Sequence, residues 1–397
     1  MVSTRASQFP ESPIRKLNSL GDKAESEGVH LYHLNIGQPD ISTPEEFLNG
    51  IKNSDVEVLS YSPSGGLREV RQGIVNYYAD NGIELDPDQI IVTVGGSEAG
   101  LFAFYVALEP GQEILIPEPF YTNYRGFAKM SGTEIAPIPS RAEDDFSLPD
   151  RGVMQDLISK NTGALLLTNP SNPTGRVYTK KELERARDIA LENDLYFISD
   201  EVYREFVYDG NEAISILQLK NIDERGILID SISKRLSVCG ARIGVIASRN
   251  REFNDAVSRL SQARLSPPTF GQLGLLNFLK SSAYPGAIDE MVERYRRRRD
   301  VLLEELAKIP GTSFSRPGGA FYLMVRLPVD DSEEFVKWMI TDFRHKGESV
   351  MLAPGGGFYA WEGEGSNEVR ISYVLNRNDL ARACELIGMG LYEYRNR

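Results

Sequence analysis

Short apolar runs recur along the chain, each ending in glycine or a polar residue. Ile90–Thr93, Glu113–Ile116, Gly163–Thr168, Leu195–Ser199, Ile227–Ile229 and Ile243–Ala247 read as buried strands. Helical stretches separate them. Leu67, Val70, Ile74 and Tyr78 share one face of a helix over 67–81, an apolar helix covers Gly100–Leu108, and Thr179 with Glu182 forms a capping box opening another. Strands alternating with helices, and strands apolar without a polar face, predict a mostly parallel sheet covered on both sides, a three-layer α/β/α arrangement.

The pattern changes after Pro310-Gly311. Ala320–Arg326 alternates like a half-buried strand, 332–346 is helical, Val350–Leu352 and Val369–Tyr373 are short strands, and 377–393 is a last helix. This predicts a smaller α+β domain. A chain of 397 residues exceeds one ordinary core. The expected division is residues 1–45 as an arm and part of the small domain, 46–285 as the large domain and 286–397 as the small domain. Residues 1–13 read as an extended arm, Ile14–Glu27 as a helix, 141–150 as a surface loop, and the four arginines 296–299 as a solvated helix surface.

Net charge is −13, from 57 acidic and 44 basic residues, which disfavours nucleic acid and anionic membranes as partners. No apolar run approaches the roughly 20 residues of a membrane-spanning helix, and the first ten residues lack the apolar core of a signal peptide. The two cysteines, Cys239 and Cys384, offer no disulfide framework and fit a reducing, cytoplasmic setting. The three histidines have no metal-ligand spacing with them, so no metal is expected.

The polar candidates cluster after strand ends, where open α/β sheets place functional groups. Gly95-Gly96-Ser97 follows the first strand, Tyr121 the second, Asn172 the third, Asp200 and Tyr203 the fourth, and Ser231, Ser233 and Lys234 the fifth, with Arg242 just beyond. Singly, these have plainer readings: a glycine-rich βα turn, a core aromatic, a solvated lysine. Together they suit one cofactor. A lysine past a buried strand is desolvated, and its neutral amine forms Schiff bases. Gly95, Gly96, Ser97, Ser231, Ser233 and Arg242 would cradle a phosphate. Tyr121 would stack on a ring, Asn172 and Tyr203 would hydrogen-bond its 3′-oxygen, and Asp200 would pair with a protonated pyridine nitrogen. That set describes pyridoxal 5′-phosphate, PLP.

The motifs Asn35-Ile36-Gly37-Gln38-Pro39-Asp40, Gly95-Gly96-Ser97-Glu98-Ala99, Asn172-Pro173-Thr174-Gly175, Asp200-Glu201-Val202-Tyr203, Ser231-Ile232-Ser233-Lys234, Arg242-Ile243-Gly244 and Arg370-Ile371-Ser372 span nearly the whole chain. In this order the chain resembles the class I aminotransferases of the aspartate aminotransferase fold, the fold-type I PLP enzymes. The resemblance implies a homodimer with shared active sites, in which Tyr61 reaches the partner's phosphate. It implies that Arg370 forks onto the substrate α-carboxylate near Gly37, and that Lys234 carries a proton between Cα and C4′. The implied reaction moves an amino group from an L-amino acid, aspartate favoured, to a 2-oxo acid such as 2-oxoglutarate by a ping-pong route. Dicarboxylate enzymes of this fold need a second cation. Arg264, in the break Ser261–Pro268, is the candidate, against a structural role. Alternatives are an aromatic, alanine or broad-specificity aminotransferase, or a PLP lyase or synthase. A PLP-sensing regulator would need an appended DNA-binding domain, for which there is no room before Ile14.

Overall fold

The computed structural model describes residues 2–7, 9–282 and 284–397. Met1 and Gln8, part of the predicted arm, lie outside the described residues. A seven-stranded sheet organises the chain. Its strands are β1 (Ile90–Val94), β2 (Glu113–Glu118), β3 (Glu134–Pro139), β4 (Thr162–Thr168), β5 (Tyr196–Asp200), β6 (Gly226–Ser231) and β7 (Ile243–Ala247). The order is β1-β7-β6-β5-β4-β2-β3. All neighbours pair in parallel except β7, which runs antiparallel to both β1 and β6.

Alternate residues of each strand enter different cores, as the two-residue period of a strand requires. Leu165, Leu167, Phe197, Leu228 and Val245 face one core, where Leu183 and Ile189 of the helix Lys180–Glu192 cover them. Leu166, Ile198, Ile227, Ile229 and Ile246 face the other, under Ala99, Phe102 and Ala103 of the helix Gly95–Ala107. The three layers follow from this division. Strand β3 escapes the sequence pattern because Glu134-Ile135-Ala136-Pro137-Ile138-Pro139 carries two prolines, tolerated here because β3 is an edge.

A second, antiparallel sheet joins Ala353–Pro354, Glu368–Ser372, Tyr322–Arg326 and Ser313–Phe314 in that order. Beside it His30–His33 pairs in parallel with Glu348–Met351, so an early segment packs with the last third of the chain. The helix expected from Ile14 begins at Asn18, and Ser12–Leu17 is a turn.

The arginine run 296–299 corrects an expectation. Arg296 and Arg297 lie towards solvent and pair with Glu293, but Arg298 and Arg299 are only 8% and 0% exposed. Arg298 holds Asp40 at 2.6 and 3.0 Å, and Arg299 holds Asp209 at 2.8 Å. Four consecutive residues turn through a full helical circle, so they cannot all face water on a packed helix. Among the described residues no helix is long and apolar enough to cross a membrane, and no group of side chains is arranged to hold a metal ion.

Candidate active site

One cavity of about 690 Å³ lies where the C-terminal ends of β4, β5 and β6 and the first turn of the helix Gly95–Ala107 converge. Ile36-Gly37-Gln38, Tyr322 and Arg370 close it from the side of the antiparallel sheet.

At one wall the backbone is packed to its limit. Gly95 has φ +73°, and a Cβ on it would sit 2.3 Å from Arg242 Nη2. A Cβ on Gly244 would sit 2.3 Å from the Gly95 carbonyl carbon and 2.6 Å from the Gly96 nitrogen. Only glycine lets β7 and this turn approach so closely. The helix therefore starts at the wall itself, with the free N–H groups of its first turn beside Gly96 and Ser97. Ser231 Oγ accepts from the Ser233 N–H at 3.2 Å and lies 2.8 Å from Ser233 Oγ. Arg242 donates to the carbonyls of Cys239 at 3.1 Å and Val94 at 3.4 Å, and has no carboxylate partner among the described residues. Hydroxyls, helix N–H groups and an uncompensated guanidinium form a donor set for a phosphate.

Lys234 stands in the one-turn helix Ile232–Arg235, which Ser231 caps. Its Nζ donates to the Gly37 carbonyl at 2.8 Å and lies 3.9 Å from Cys239 Sγ. Gly37 has no room for a side chain, because a Cβ would come within 1.8 Å of the Tyr322 hydroxyl. Beneath, a bidentate pair brackets the lysine turn. Arg235 holds buried Asp230 at 3.0 and 2.9 Å, and Tyr78 donates to Asp230 at 2.9 Å.

Asp200 ends β5. Its carboxylate accepts from the Tyr124 hydroxyl at 2.8 Å and the Val202 N–H at 3.3 Å. Burial still pushes its pKa up to about 6. Such a carboxylate gains most from a cationic partner. Tyr121 lies edge-on to Tyr124, its hydroxyl accepts from Asn123 at 2.8 Å, and burial pushes its pKa up to about 12. The hydroxyls of Tyr203 and Tyr322 are 2.9 Å apart.

Arg370 occupies the strand Glu368–Ser372 and is 1% exposed. It donates to Asn172 Oδ1 at 3.1 Å and to the Asn35 carbonyl, and its guanidinium lies 4.5 Å from the Tyr322 ring centre and 5.1 Å from that of Phe358. Its Nε has no partner, and no carboxylate neutralises it among the described residues. The cavity thus presents Arg15, Lys234, Arg242 and Arg370 against one carboxylate, Asp200, inside a chain of net charge −13. Such a site concentrates anions.

Residues 29–387 match the family described as aminotransferase class I and II. The chain belongs to this family. It is 31% identical to the aspartate aminotransferase of Pyrococcus horikoshii over 394 residues, covering 98% of this chain and 97% of that protein. It is 33% identical to aromatic-amino-acid aminotransferase 2 of Thermococcus litoralis, covering 97% and 96%. Among solved structures, an alanine aminotransferase from Pyrococcus furiosus aligns with a TM-score of 0.90 at 30% identity, covering 99% of this chain and all (100%) of that one. The aspartate aminotransferase of Thermus thermophilus with maleate aligns with a TM-score of 0.89 at 29% identity, covering 98% and 99%.

Of the residues singled out from the sequence of this aminotransferase-family chain, Gly37, Gly96, Ser97, Tyr121, Asn172, Asp200, Tyr203, Ser231, Ser233, Lys234, Arg242 and Arg370 line the one cavity. Gly95 lies behind Arg242 rather than on the wall. Tyr61 is 79% exposed and outside the cavity. Arg264 lies outside the cavity of its own subunit. Its side chain is 14% exposed, its Nε is 3.3 Å from Glu98, and it donates to the carbonyls of Ser64 at 3.1 Å and Val92 at 3.2 Å. Its Nε and Nη1 have no hydrogen-bond partner among the described residues. Sequence reasoning missed Tyr124, Tyr322, the Asp230–Arg235 pair and Arg15. Only the pair left a trace, two opposite charges flanking the lysine segment.

Proposed function

We propose that the chain is a PLP-dependent aminotransferase that moves an amino group between an L-amino acid and a 2-oxo acid such as 2-oxoglutarate, with aspartate a favoured donor. One observation carries this reading: two arginines without carboxylate partners, Arg242 and Arg370, stand at separate walls of a cavity that holds Lys234 and Asp200. The residues fit PLP. The glycine-tight wall with Ser231, Ser233 and Arg242 suits its phosphate, and the burial-raised Asp200 suits its pyridine nitrogen.

Bound PLP supplies a carbonyl for the amine and an electron-withdrawing ring. Asp200 would pair with the ring nitrogen and hold its proton, while Tyr124 steadies its carboxylate. Tyr121 would cover the ring face, and Asn172 and Tyr203 would hydrogen-bond the 3′-oxygen. Arg370 forks onto the substrate α-carboxylate, a planar match that lysine lacks. Lys234, held towards the Gly37 carbonyl, would be the base that takes the substrate's Cα proton and gives it back. The residues on this path serve both halves of a ping-pong cycle.

A homodimer is part of the proposal, with Tyr61 serving the partner's phosphate. Val58, Leu59, Tyr61, Leu265 and Phe270 expose apolar surface that a second copy would cover. A cytoplasmic setting rests on the two free cysteines. The test is borohydride reduction of the holoenzyme followed by peptide mapping, together with an assay for glutamate formed from aspartate and 2-oxoglutarate. Label on Lys234 and glutamate as product are expected. Label on another residue would refute the site, and release of ammonia instead of glutamate would refute transamination in favour of a lyase.

A further inference from the structure

We infer that Arg15 reads a second, side-chain carboxylate on the substrate, which makes acidic amino acids the preferred donors; this rests on the aminotransferase reading above. Four cations line the cavity, and three have work there: Lys234 at the amine, Arg242 at the phosphate and Arg370 at the α-carboxylate. Arg15 is the fourth. It is exposed, and its guanidinium forms no ion pair or hydrogen bond among the described residues. Its neighbour Lys16 is committed to Glu333, so the turn sends one basic side chain outward and the other to the cavity.

The backbone places Arg15 beside the substrate end. The Arg15 and Lys16 N–H groups both donate to the Ser12 carbonyl, at 3.0 and 2.9 Å. Asn35 then joins this turn to the α-carboxylate site. Its side-chain amide donates to the Ile14 carbonyl at 3.4 Å, and its own carbonyl accepts from Arg370. Arg15 and Tyr121 line the same cavity. A dicarboxylate held by Arg370 at one end would meet Arg15 at the other. Because Arg15 is exposed, it can swing back into water when the side chain is apolar, leaving no buried charge unpaired. The residue therefore adds affinity for acids without excluding alanine or phenylalanine, unlike a buried reader.

The test compares wild type with Arg15→Gln, Arg15→Lys and, for the rival arginine, Arg264→Met. The ratio of kcat/KM for aspartate to that for alanine should fall roughly 10- to 150-fold in Arg15→Gln, recover in part in Arg15→Lys, and hold in Arg264→Met. Calorimetric binding to the holoenzyme should show the same loss for succinate relative to propionate. An unchanged ratio in Arg15→Gln, or an equal loss on aspartate and alanine, overturns the inference while transamination stands. If wild type transfers no amino group from any donor, the parent reading fails instead.

Discussion

Replacing Arg370 with methionine should cost much activity and little ligand-free stability. The guanidinium is buried among the Tyr322 and Phe358 rings, two of its nitrogens are used, its Nε is orphaned and no carboxylate balances its charge. A forked carboxylate contact comprises two charge-assisted hydrogen bonds worth about 1.5–3 kcal/mol each, so kcat/KM should fall by about 3–6 kcal/mol. That is roughly 150- to 25,000-fold, by the same factor for aspartate, alanine and phenylalanine, since all share the α-carboxylate. Without ligand the balance differs. Methionine strands Asn172 Oδ1 and the Asn35 carbonyl at about 1–3 kcal/mol each, but removes an unpaired buried cation whose desolvation costs several kcal/mol. The ligand-free Tm should therefore change little. Succinate at about 100 times its dissociation constant should stabilise wild type by roughly 2.7 kcal/mol and leave the variant nearly unmoved. Steady-state kinetics on three donors and thermal melts with and without succinate decide it. A loss below about tenfold, a loss confined to one donor, or full stabilisation of the variant by succinate would refute the reasoning.

Two further outcomes are expected. In cofactor-free protein Asp200 has a folded pKa of about 6, above its ordinary 3.8, so its contribution to stability is complete below about pH 4 and is lost as pH rises through 6, by about 3 kcal/mol at most. The Tm of wild type should fall over that window relative to Asp200→Asn, and parallel curves would show that the carboxylate is not desolvated as described; Glu201, which burial pushes up to about 7, contributes to both curves alike. Gly244→Ala drives a Cβ into the Gly95 backbone and should weaken PLP binding at least about tenfold, a change in fluorescence titration; binding within twofold of wild type would show that the wall yields.

The layered fold was legible because strands buried on both faces are apolar throughout, and their ends are marked where the chain turns polar. Lys234, Asp200 and Arg242 stand at such ends. What could not be read depends on contacts that no local pattern records. Tyr322 looks like one more apolar strand residue, yet its hydroxyl dictates Gly37. Arg298 and Arg299 sit in a run that resembles a solvated surface, and only the packed helix reveals that half of it is buried. Arg264 and Arg15 are equally plain arginines in the sequence. Glu98, Ser64 and Val92 meet the first within its own subunit, and none of the described residues pairs with the second.

The reversed strand β7 has a consequence for how the site assembles. By running back between β6 and β1 it joins Ser231 to the Ile243 carbonyl across 12 residues, and Arg242 to the Cys239 carbonyl across 3. Short loops of this kind close at little entropic expense. Arg242 also reaches the Val94 carbonyl across 148 residues, and on the other side Lys234 reaches Gly37 across 197 and Arg370 reaches Asn35 across 335. Contacts so distant in sequence form late. During synthesis every residue of the phosphate wall has emerged by β7, whereas Arg370 belongs to the end of the chain. The wall around Arg242 can therefore be complete while the strand that carries Arg370 has yet to be made.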